Sequence, residues 1–353
     1  MQEFLVKHHI KDKVLAVAVS GGADSLALAL MAHEQLALYG YKIIALTVDH
    51  GLRSSSSEEA EYVARVMKEY KIEHHILVWQ GGKPDSGIEE AARLARYTLI
   101  KSWCDKHNIR VLLVAHHLRD QAETFLMRIQ RGSGLSGLCS IRECSNLGDL
   151  KILRPLLKTE PEVLRDYLRN KKIEWIEDES NQNTKYLRNK IRKFLPLLNE
   201  HTGITLERID EAVSNLQSAD DFIESYINTL FEREINCYDN KVFCFSHVNY
   251  LQWHPEIKFR VLAKLCQKQY IPRADSVTMA VKALNSIPFS GLTLGGKEIF
   301  IAYGNVWFVP ELASKRKSSR AEWKEFVEQN PQYKDMKIPH KAKLAILTLK
   351  EKK

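Results

Sequence analysis

Residues 14–25 constrain the fold of this chain more than any other stretch. Residues 14–19 are a run of six apolar residues, three of them valine, which is typical of a strand buried on both faces. The run stops at the small and polar sequence SGGADS (20–25), and apolar residues then recur at helical spacing as far as Leu36. The stretch therefore predicts a strand, a glycine turn and a largely buried helix.

The glycine turn has the composition of a phosphate-binding loop. Glycines adopt positive φ without a Cβ clash, so successive backbone N–H groups can point to one anion at the positive end of the following helix. The loop consists of Ser20, Gly21, Gly22, Ala23, Asp24 and Ser25. A carboxylate beside phosphate is repulsive unless a divalent cation lies between them, so Asp24 is predicted to bind Mg²⁺. The alternative is a tight turn in which Asp24 caps the helix.

Two further apolar strands are predicted to end in polar clusters. Residues 41–48 lead into Asp49 and His50, and residues 111–115 lead into His116 and His117. Because parallel strands share one carboxyl edge, both clusters are expected beside the glycine loop. Asp49 and His50 are candidates for contacts with the base and ribose of a nucleotide, and the alternative for them is a polar loop cap.

Asp120 and Glu123 lie three residues apart at the start of the helix that follows the second cluster. This spacing lets both carboxylates face one ligand, and two carboxylates suit a metal ion or an amine. Helix capping explains Asp120 alone equally well, but it does not explain the whole cluster.

Two predicted helices carry pairs of arginines. Arg93 and Arg96 are three residues apart within residues 88–107 and can point the same way. Arg188 and Arg192 share one helical face, on which Lys185 also falls. Because arginine binds phosphate bidentately, this face is a candidate for contact with a nucleic acid backbone or a nucleotide. The alternative is a solvated basic helix.

Composition limits the class of protein. The net charge is +8, and residues 314–353 carry 12 Lys/Arg against 5 Asp/Glu, while residues 151–193 carry 12 against 7. This local excess suggests that a polyanion binds there. Six scattered cysteines without a CxxC pair and an N-terminus without an apolar signal region favour a reduced, cytoplasmic protein. No apolar run approaches the roughly 18 residues of a membrane span.

The predicted fold class is α/β. Residues 1–200 are expected to form a doubly wound, mainly parallel sheet, with a helix over 158–171 capped by Thr159. Residues 201–313 predict a helical connector and a small α+β domain with a hairpin near Gly304 and aromatic side chains in its core. Residues 314–353 are expected to be a basic tail, either a polyanion-binding segment or a solvated terminus.

The strand, SGGADS loop and helix resemble those of the PP-loop ATP pyrophosphatases. Further motifs resemble the tRNA(Ile)-lysidine synthases within that superfamily. They are VDHGLR (48–53), AARLARY (91–97), AHHLRDQAET (115–124), RGSGLSGL (131–138), RPLL (154–157) and DESN…RNKIR (178–192). The resemblance covers most of residues 14–200 in order.

The resemblance implies a ligase that forms a carbon–nitrogen bond at the expense of ATP. Such an enzyme adenylates the C2 oxygen of cytidine 34 in tRNA(Ile) with a CAU anticodon, releasing pyrophosphate. The ε-amine of L-lysine then attacks C2 and AMP leaves. The lysidine formed changes codon specificity from AUG to AUA and charging identity from Met to Ile. A homodimer is also implied.

The resemblance further assigns roles to residues. The glycine loop would hold the β,γ-phosphates, Asp24 and Asp120 would hold Mg²⁺, and Arg93 or Arg96 would offset the developing charge. Asp120 and Glu123 could instead bind lysine, and His116 or His117 is a candidate for activating its amine. The expected contacts with tRNA or ATP phosphate are Arg188, Asn189 and Arg192.

Two other protein classes are possible on the same motifs. A tRNA thiolase on this scaffold normally needs a catalytic cysteine pair or an iron–sulfur CxxC, which the scattered cysteines disfavour. A nonenzymatic nucleotide-binding or RNA-binding protein has no use for Asp24 together with Asp120 and Glu123. Many lysidine synthases also end in a basic domain that binds the acceptor stem, whose proline- and arginine-rich opening is not found here. The segment after Ser314 is either a reduced version of it or unrelated.

Overall fold

The structure is a computed structural model. It describes residues 1–51, 56–80, 87–177, 187–238, 241–267, 272–286, 288–311 and 320–350. The chain divides into two compact units, Met1–Asp220 and Asp221–Lys353. The division into residues 1–200, 201–313 and 314–353 stays a prediction. Leu52, Arg53, Lys185 and the DESN motif (178–181) lie outside the described residues.

A six-stranded sheet forms the centre of the first unit. Its strands are β1 (Val14–Ala18), β2 (Lys42–Asp49), β3 (Glu73–Val78), β4 (Val111–Leu113), β5 (Cys144–Leu147) and β6 (Leu150–Leu153). They are ordered β3-β2-β1-β4-β6-β5, with β5 antiparallel to β6 and the other neighbours parallel. The strand order reverses between β1 and β4, and in such sheets ligands bind outside the carboxyl ends at this switch point.

Helices connect and follow these strands. They are α1 (Gln2–Lys7), α2 (Ala23–Ala37), α3 (Ser56–Glu69), α4 (Ile88–Lys106), α5 (Leu118–Gln130), α6 (Leu135–Leu138), α7 (Pro161–Asn170), α8 (Leu187–Thr202) and α9 (Leu206–Arg233), which contains the unit boundary. Leu15 and Val17 of β1 pack with α2, α3 and α7, whereas Ala16 faces α4. Because β1 is buried on both sides, its sequence is a continuous apolar run. The predicted doubly wound α/β class is confirmed.

An antiparallel sheet forms the centre of the second unit. Its strands are β7 (Asn236–Tyr238), β8 (Val242–Ser246), β9 (Leu292–Leu294), β10 (Lys297–Ala302) and β11 (Asn305–Pro310), in the order β7-β8-β11-β10-β9. α10 (His247–Gln252), α11 (Pro255–Leu265) and α12 (Ala274–Leu284) follow β8. Phe245 and Phe308 lie in the core on the α11–α12 side, as predicted for the aromatics of this half, and Trp307 is buried on the other face.

Part of the basic segment after residue 314 is folded. α13 (Arg320–Gln329), a 3₁₀ turn and α14 (His340–Lys350) place Phe326, Tyr333 and Ile346 against Trp307. The alternative of a solvated terminus is therefore wrong for residues 320–350. Charged residues interrupt the apolar pattern of this segment, and the pattern alone did not indicate the helices.

The helix predicted over 158–171 begins later than expected. Its N-cap is Glu160, which makes no side-chain cap bond, and Pro161 occupies the first turn. The predicted Thr159 cap is wrong because the Thr159 carbonyl accepts a hydrogen bond from the Leu118 N–H at 3.0 Å, which holds this residue outside the helix. Proline is favoured in the first turn because its φ is already helical.

None of the helices in the described part of the chain is long and apolar enough to cross a membrane.

Candidate active site

The glycine loop joins β1 to α2 and leaves the start of the helix open. Gly22 is the N-cap and α2 has no side-chain cap bond, so first-turn N–H groups are available to an anion. The Ser25 hydroxyl accepts a hydrogen bond from the Ser20 N–H at 3.1 Å and donates one to the Gly22 carbonyl at 3.0 Å. Asp24 lies in the first turn, so the alternative in which it caps the helix is wrong.

Gly21 is the point at which the loop needs glycine. Its φ is +89°, and a Cβ there would lie 2.6 Å from Cδ1 of Ile176. Ile176 also donates its N–H to the Gly21 carbonyl at 3.0 Å. The segment after α7 therefore packs directly on the glycine loop and holds its shape.

Alanine at Gly21 is expected to lower the free energy of unfolding by about 2 kcal/mol, of which about 1 kcal/mol is the cost of positive φ and the rest the contact with Ile176. Gly40→Ala is the matched control, because Gly40 has φ +74° but a Cβ added there would meet no atom within 4 Å. Urea unfolding should show the larger loss for Gly21→Ala, and Ile176→Val should remove the excess. Equal losses for both glycines would exclude a role for the packing contact.

His117 connects the glycine loop to the start of α5. Its Nε2 lies 3.5 Å from Oδ2 of Asp24, and its Nδ1 lies 3.5 Å from Oδ2 of Asp120. His117 is also the N-cap of α5: its Nδ1 accepts the Asp120 N–H at 3.3 Å, while Oδ2 of Asp120 accepts the His117 N–H at 3.0 Å. With Nδ1 accepting, the neutral ring carries its proton on Nε2, which faces Asp24. His117 therefore joins the glycine loop to the start of α5 at one edge of the sheet.

Asp24 has a free coordination position. Its Oδ1 is buried and has no hydrogen-bond partner among the described residues, whereas Oδ2 faces His117. A buried carboxylate oxygen without a partner is costly, and a cation would satisfy it. The donor chemistry at Asp24 thus fits Mg²⁺.

Asp120 and Glu123 face one cation, and that cation is an arginine of the same chain. Arg188 donates from Nη2 to Oδ1 of Asp120 at 2.6 Å and from Nε to Oε2 of Glu123 at 2.5 Å. Arg192 donates from Nε to Oε1 of Glu123 at 2.7 Å. Glu123 is fully buried, whereas the two arginine side chains remain about one-third exposed, at 40% and 32%. The carboxylates thus tie α8 to α5.

The local charges stabilise the ionised form of Asp120. Burial opposes its ionisation, but the neighbouring His117 and Arg188 outweigh burial and hold the pKa of Asp120 below its usual range. Asp120 is therefore an anion at neutral pH, as a ligand for a cation or an amine must be.

His116, the first residue of the HH pair, is held neutral. Burial, together with the positive charges of Arg154, Arg188 and Arg93, lowers the pKa of His116 to about 4, although Asp120 opposes this shift. Its Nδ1 is buried and has no hydrogen-bond partner in the part of the chain that the structure describes. At neutral pH His116 is a weak base.

The stability of the protein should depend on pH through His116. The unfolded histidine binds a proton near pH 6.5 and the folded one only near pH 4, so the unfolding free energy falls as the pH is lowered through this range, by up to about 1.4 kcal/mol per unit. The free energy of unfolding, measured with urea, should therefore differ less between wild type and His116→Gln at pH 4.5 than at pH 7. A difference that is constant with pH would contradict the shift.

Asp49 organises the loop that follows β2. Its Oδ1 accepts hydrogen bonds from the Gly51 N–H at 2.8 Å and from the Ser56 hydroxyl, and its Oδ2 accepts one from Ser57 at 3.0 Å. The Ser56 bond is the main reason why the pKa of Asp49 is lowered. His50 packs edge-on to Trp79 at 6.0 Å. These contacts match the polar-cap interpretation, and the nucleotide contacts of both residues stay a prediction.

The other predicted residues lie on α4 and α8. Arg93 and Arg96 are exposed on α4, and Arg93 lies over the ring of Tyr97 at 5.5 Å. Asn189 is buried on α8 between the two arginines in sequence. The roles of these residues toward tRNA or ATP stay predictions.

Arg154 lies near His116 at this edge of the sheet, and the motifs assigned no role to it. It follows β6 directly, and its Nη1 donates to the Arg142 carbonyl at 2.9 Å and to the Ser145 hydroxyl at 3.0 Å. Its position in RPLL (154–157), immediately after a strand of the parallel sheet, was the available signal.

Comparison with known proteins agrees with this geometry. Residues 1–198 match the family model of the PP-loop domain. A tRNA(Ile)-lysidine synthase from Wolbachia pipientis is 37% identical over 273 residues, which cover 74% of this chain and 62% of that protein. One from Ruegeria pomeroyi is 34% identical over 274 residues, covering 76% and 65%. The chain thus spans slightly less than two thirds of the length of these relatives.

The fold also resembles a solved structure, the U34-tRNA thiolase NcsA from Methanococcus maripaludis with its [4Fe-4S] cluster. The TM-score is 0.51 at 18% identity, covering 58% of this chain and 72% of that one, which shows a shared fold. The matched residues 1–198 are more than half of the chain and include the glycine loop, His117 and the α5 carboxylates. This chain belongs to the PP-loop domain family.

Proposed function

We propose that the protein is a tRNA(Ile)-lysidine synthase. It uses ATP and L-lysine to convert cytidine 34 of the CAU anticodon of tRNA(Ile) to lysidine, with release of AMP and pyrophosphate. The observation that carries the proposal is the contact of His117 with both Asp24 and Asp120, which joins a phosphate-binding loop to a pair of carboxylates. Relatives of this chain are named tRNA(Ile)-lysidine synthases, and the resemblance of its motifs to that family implies the substrates.

The glycine loop binds the β,γ-phosphates of ATP through the open N-terminus of α2. Asp24, with Asp120 as a second candidate, holds Mg²⁺, which when bound neutralises phosphate charge and favours departure of pyrophosphate. The C2 oxygen of cytidine attacks the α-phosphorus, so that AMP becomes attached to the base. Arg93 or Arg96 offsets the negative charge that develops in this step.

The carboxylates of α5 bind lysine as a cation. Asp120 and Glu123 bind a cationic side chain, Arg188, which shows that the pair accommodates a positive group. The ε-amine must lose a proton before it attacks C2 and displaces AMP. His116 or His117 is the candidate acceptor; burial and the neighbouring arginines keep His116 unprotonated at neutral pH.

The remaining parts of the chain position the tRNA. Residues 201–313 form the positioning domain and residues 314–353 a basic segment, while Arg188, Asn189 and Arg192 contact tRNA or ATP phosphate. The enzyme acts in the cytoplasm as a homodimer. These assignments follow from the family resemblance and from the excess of Lys/Arg in residues 314–353.

One assay tests the proposal. The protein is incubated with ATP, Mg²⁺, labelled lysine and an unmodified tRNA(Ile) transcript, and label is measured in the RNA. Transfer that requires ATP and cytidine 34 is expected, and a transcript with uridine at position 34 is the matched control. Lysine-dependent release of pyrophosphate without RNA would indicate an amino-acid-activating enzyme, and sulfur transfer without lysine transfer would indicate a thiolase.

A further inference from the structure

Arg154 lies at the carboxyl edge of the sheet beside the proposed lysine site. It follows β6, whose Leu153 carbonyl accepts the Val114 N–H at 3.0 Å, and Val114 leads into His116. Arg154 is therefore on the strand next to the one that presents His116 and the start of α5. It lies on the side away from β1 and the glycine loop.

Arg154 has no anionic partner among the described residues. Its Nη1 bonds go to a carbonyl and a hydroxyl, which are neutral, and its Nε is buried without a partner in the described ranges. No carboxylate of the described residues forms an ion pair with it. Arg188 and Arg192, in contrast, are paired with Glu123. A guanidinium that is half-buried without a carboxylate is costly, and an anionic ligand would offset that cost.

Arg154 and the carboxylate of Asp120 both act electrostatically on His116. Asp120 favours the protonated ring, whereas Arg154, Arg188 and Arg93 disfavour it. Arg154 follows β6, and Asp120 lies in the first turn of the helix that follows the neighbouring strand β4, so both groups lie at the same edge of the sheet. A free amino acid such as lysine also carries charges of both signs, with ammonium groups and one carboxylate on a single small molecule. Carboxylate and guanidinium match bidentately.

We propose that Arg154 binds the α-carboxylate of the amino acid substrate, while Asp120 and Glu123 bind its ammonium side; this rests on the proposed function. The position of Arg154 favours a carboxylate over the phosphates of ATP. Arg154 is two strands from β1, about 10 Å at the usual strand spacing, whereas the carboxylates of α5 follow the adjacent strand β4. Arg154 would thus select lysine against amines that lack the carboxylate.

The test compares L-lysine with L-lysinamide, in which the carboxylate is replaced by a neutral amide. kcat/KM for transfer to the tRNA(Ile) transcript is measured for wild type, Arg154→Gln and Arg154→Lys. Wild type should prefer lysine about 10- to 100-fold, the worth of a hydrogen bond to a charged group. Arg154→Gln should lose this preference while its activity with lysinamide stays within about threefold, and Arg154→Lys should keep part of it.

Activity with lysinamide shows that each variant is folded. Arg110→Gln is the matched control: Arg110 is an exposed arginine 4.0 Å from Asp105, and its replacement should keep the wild-type preference for lysine. If Arg154→Gln is inactive with both amines, the ratio of kcat/KM for lysine to kcat/KM for lysinamide is taken from Arg154→Lys instead. A ratio equal to that of wild type contradicts the inference. Equal loss with both amines and a higher KM for ATP would assign Arg154 to the nucleotide instead. Wild type that transfers no lysine would contradict the proposed function itself.

Discussion

Replacement of Asp24 by asparagine is expected to lower the rate of the proposed lysidine formation about a thousandfold, with little change in tRNA affinity. Asparagine keeps the shape of the side chain and removes one negative charge. The Oδ1 position that has no partner among the described residues then lacks the charge that a divalent cation requires. Asp24→Ala should behave alike, because the loss depends on the charge and not on a hydrogen bond.

The dependence on Mg²⁺ distinguishes a metal ligand from a structural residue. Without Mg²⁺, Asp24 repels the triphosphate, so the D24N variant should bind ATP as well as wild type or better. With Mg²⁺, wild type should bind ATP more tightly than the variant. Isothermal titration calorimetry of ATP binding, without and with Mg²⁺, checks this reversal in relative affinity.

Asp105→Asn is the matched control, since Asp105 is a half-exposed aspartate of the same unit that pairs with Lys101. It should leave both activity and ATP binding unchanged. Equal loss of turnover and of tRNA binding in D24N would mean instead that Asp24 maintains the loop. An unaltered Mg²⁺ dependence in D24N would remove Asp24 from the metal site.

Local sequence patterns were sufficient to predict the fold of the first unit and the edge that carries the site. The apolar run of residues 14–19 is continuous because both faces of β1 are buried, and the small residues after it permit the turn at Gly21. Parallel strands share a carboxyl edge, so the cluster at His117 could be placed beside the loop without coordinates.

The partners of the site residues could not be predicted, because they depend on packing between segments far apart in sequence. Arg188 meets Asp120 and Glu123 across separations of 68 and 65 residues, and a basic helical face alone suggests solvent or phosphate. Ile176 reaches Gly21 in the same way, from the segment after α7. Periodicity reports which face of a helix is buried, but it does not identify what lies opposite.

Removal of the Glu123 carboxylate is expected to cause a large loss in the free energy of unfolding. Glu123 is fully buried, and Glu123→Ala leaves Arg188 and Arg192 against α5 without their anion. Breaking a buried pair costs about 3–5 kcal/mol, and because both arginines are about one-third exposed we expect about 3 kcal/mol. For a unit the size of Met1–Asp220 that corresponds to a fall in Tm of about 6–12 °C.

Glu211→Ala provides the control, because Glu211 pairs with Arg208 on the surface, where both side chains are more than 60% exposed. Its loss should stay within about 0.5 kcal/mol. In the double variant Glu123→Ala, Arg188→Met, part of the stability should return, since one uncompensated charge is removed. Such recovery would show that Glu123 serves the fold by neutralising α8. Little change in Tm for Glu123→Ala would contradict this stabilising role. Loss of lysine transfer would not, because the proposed function also assigns Glu123 to the substrate.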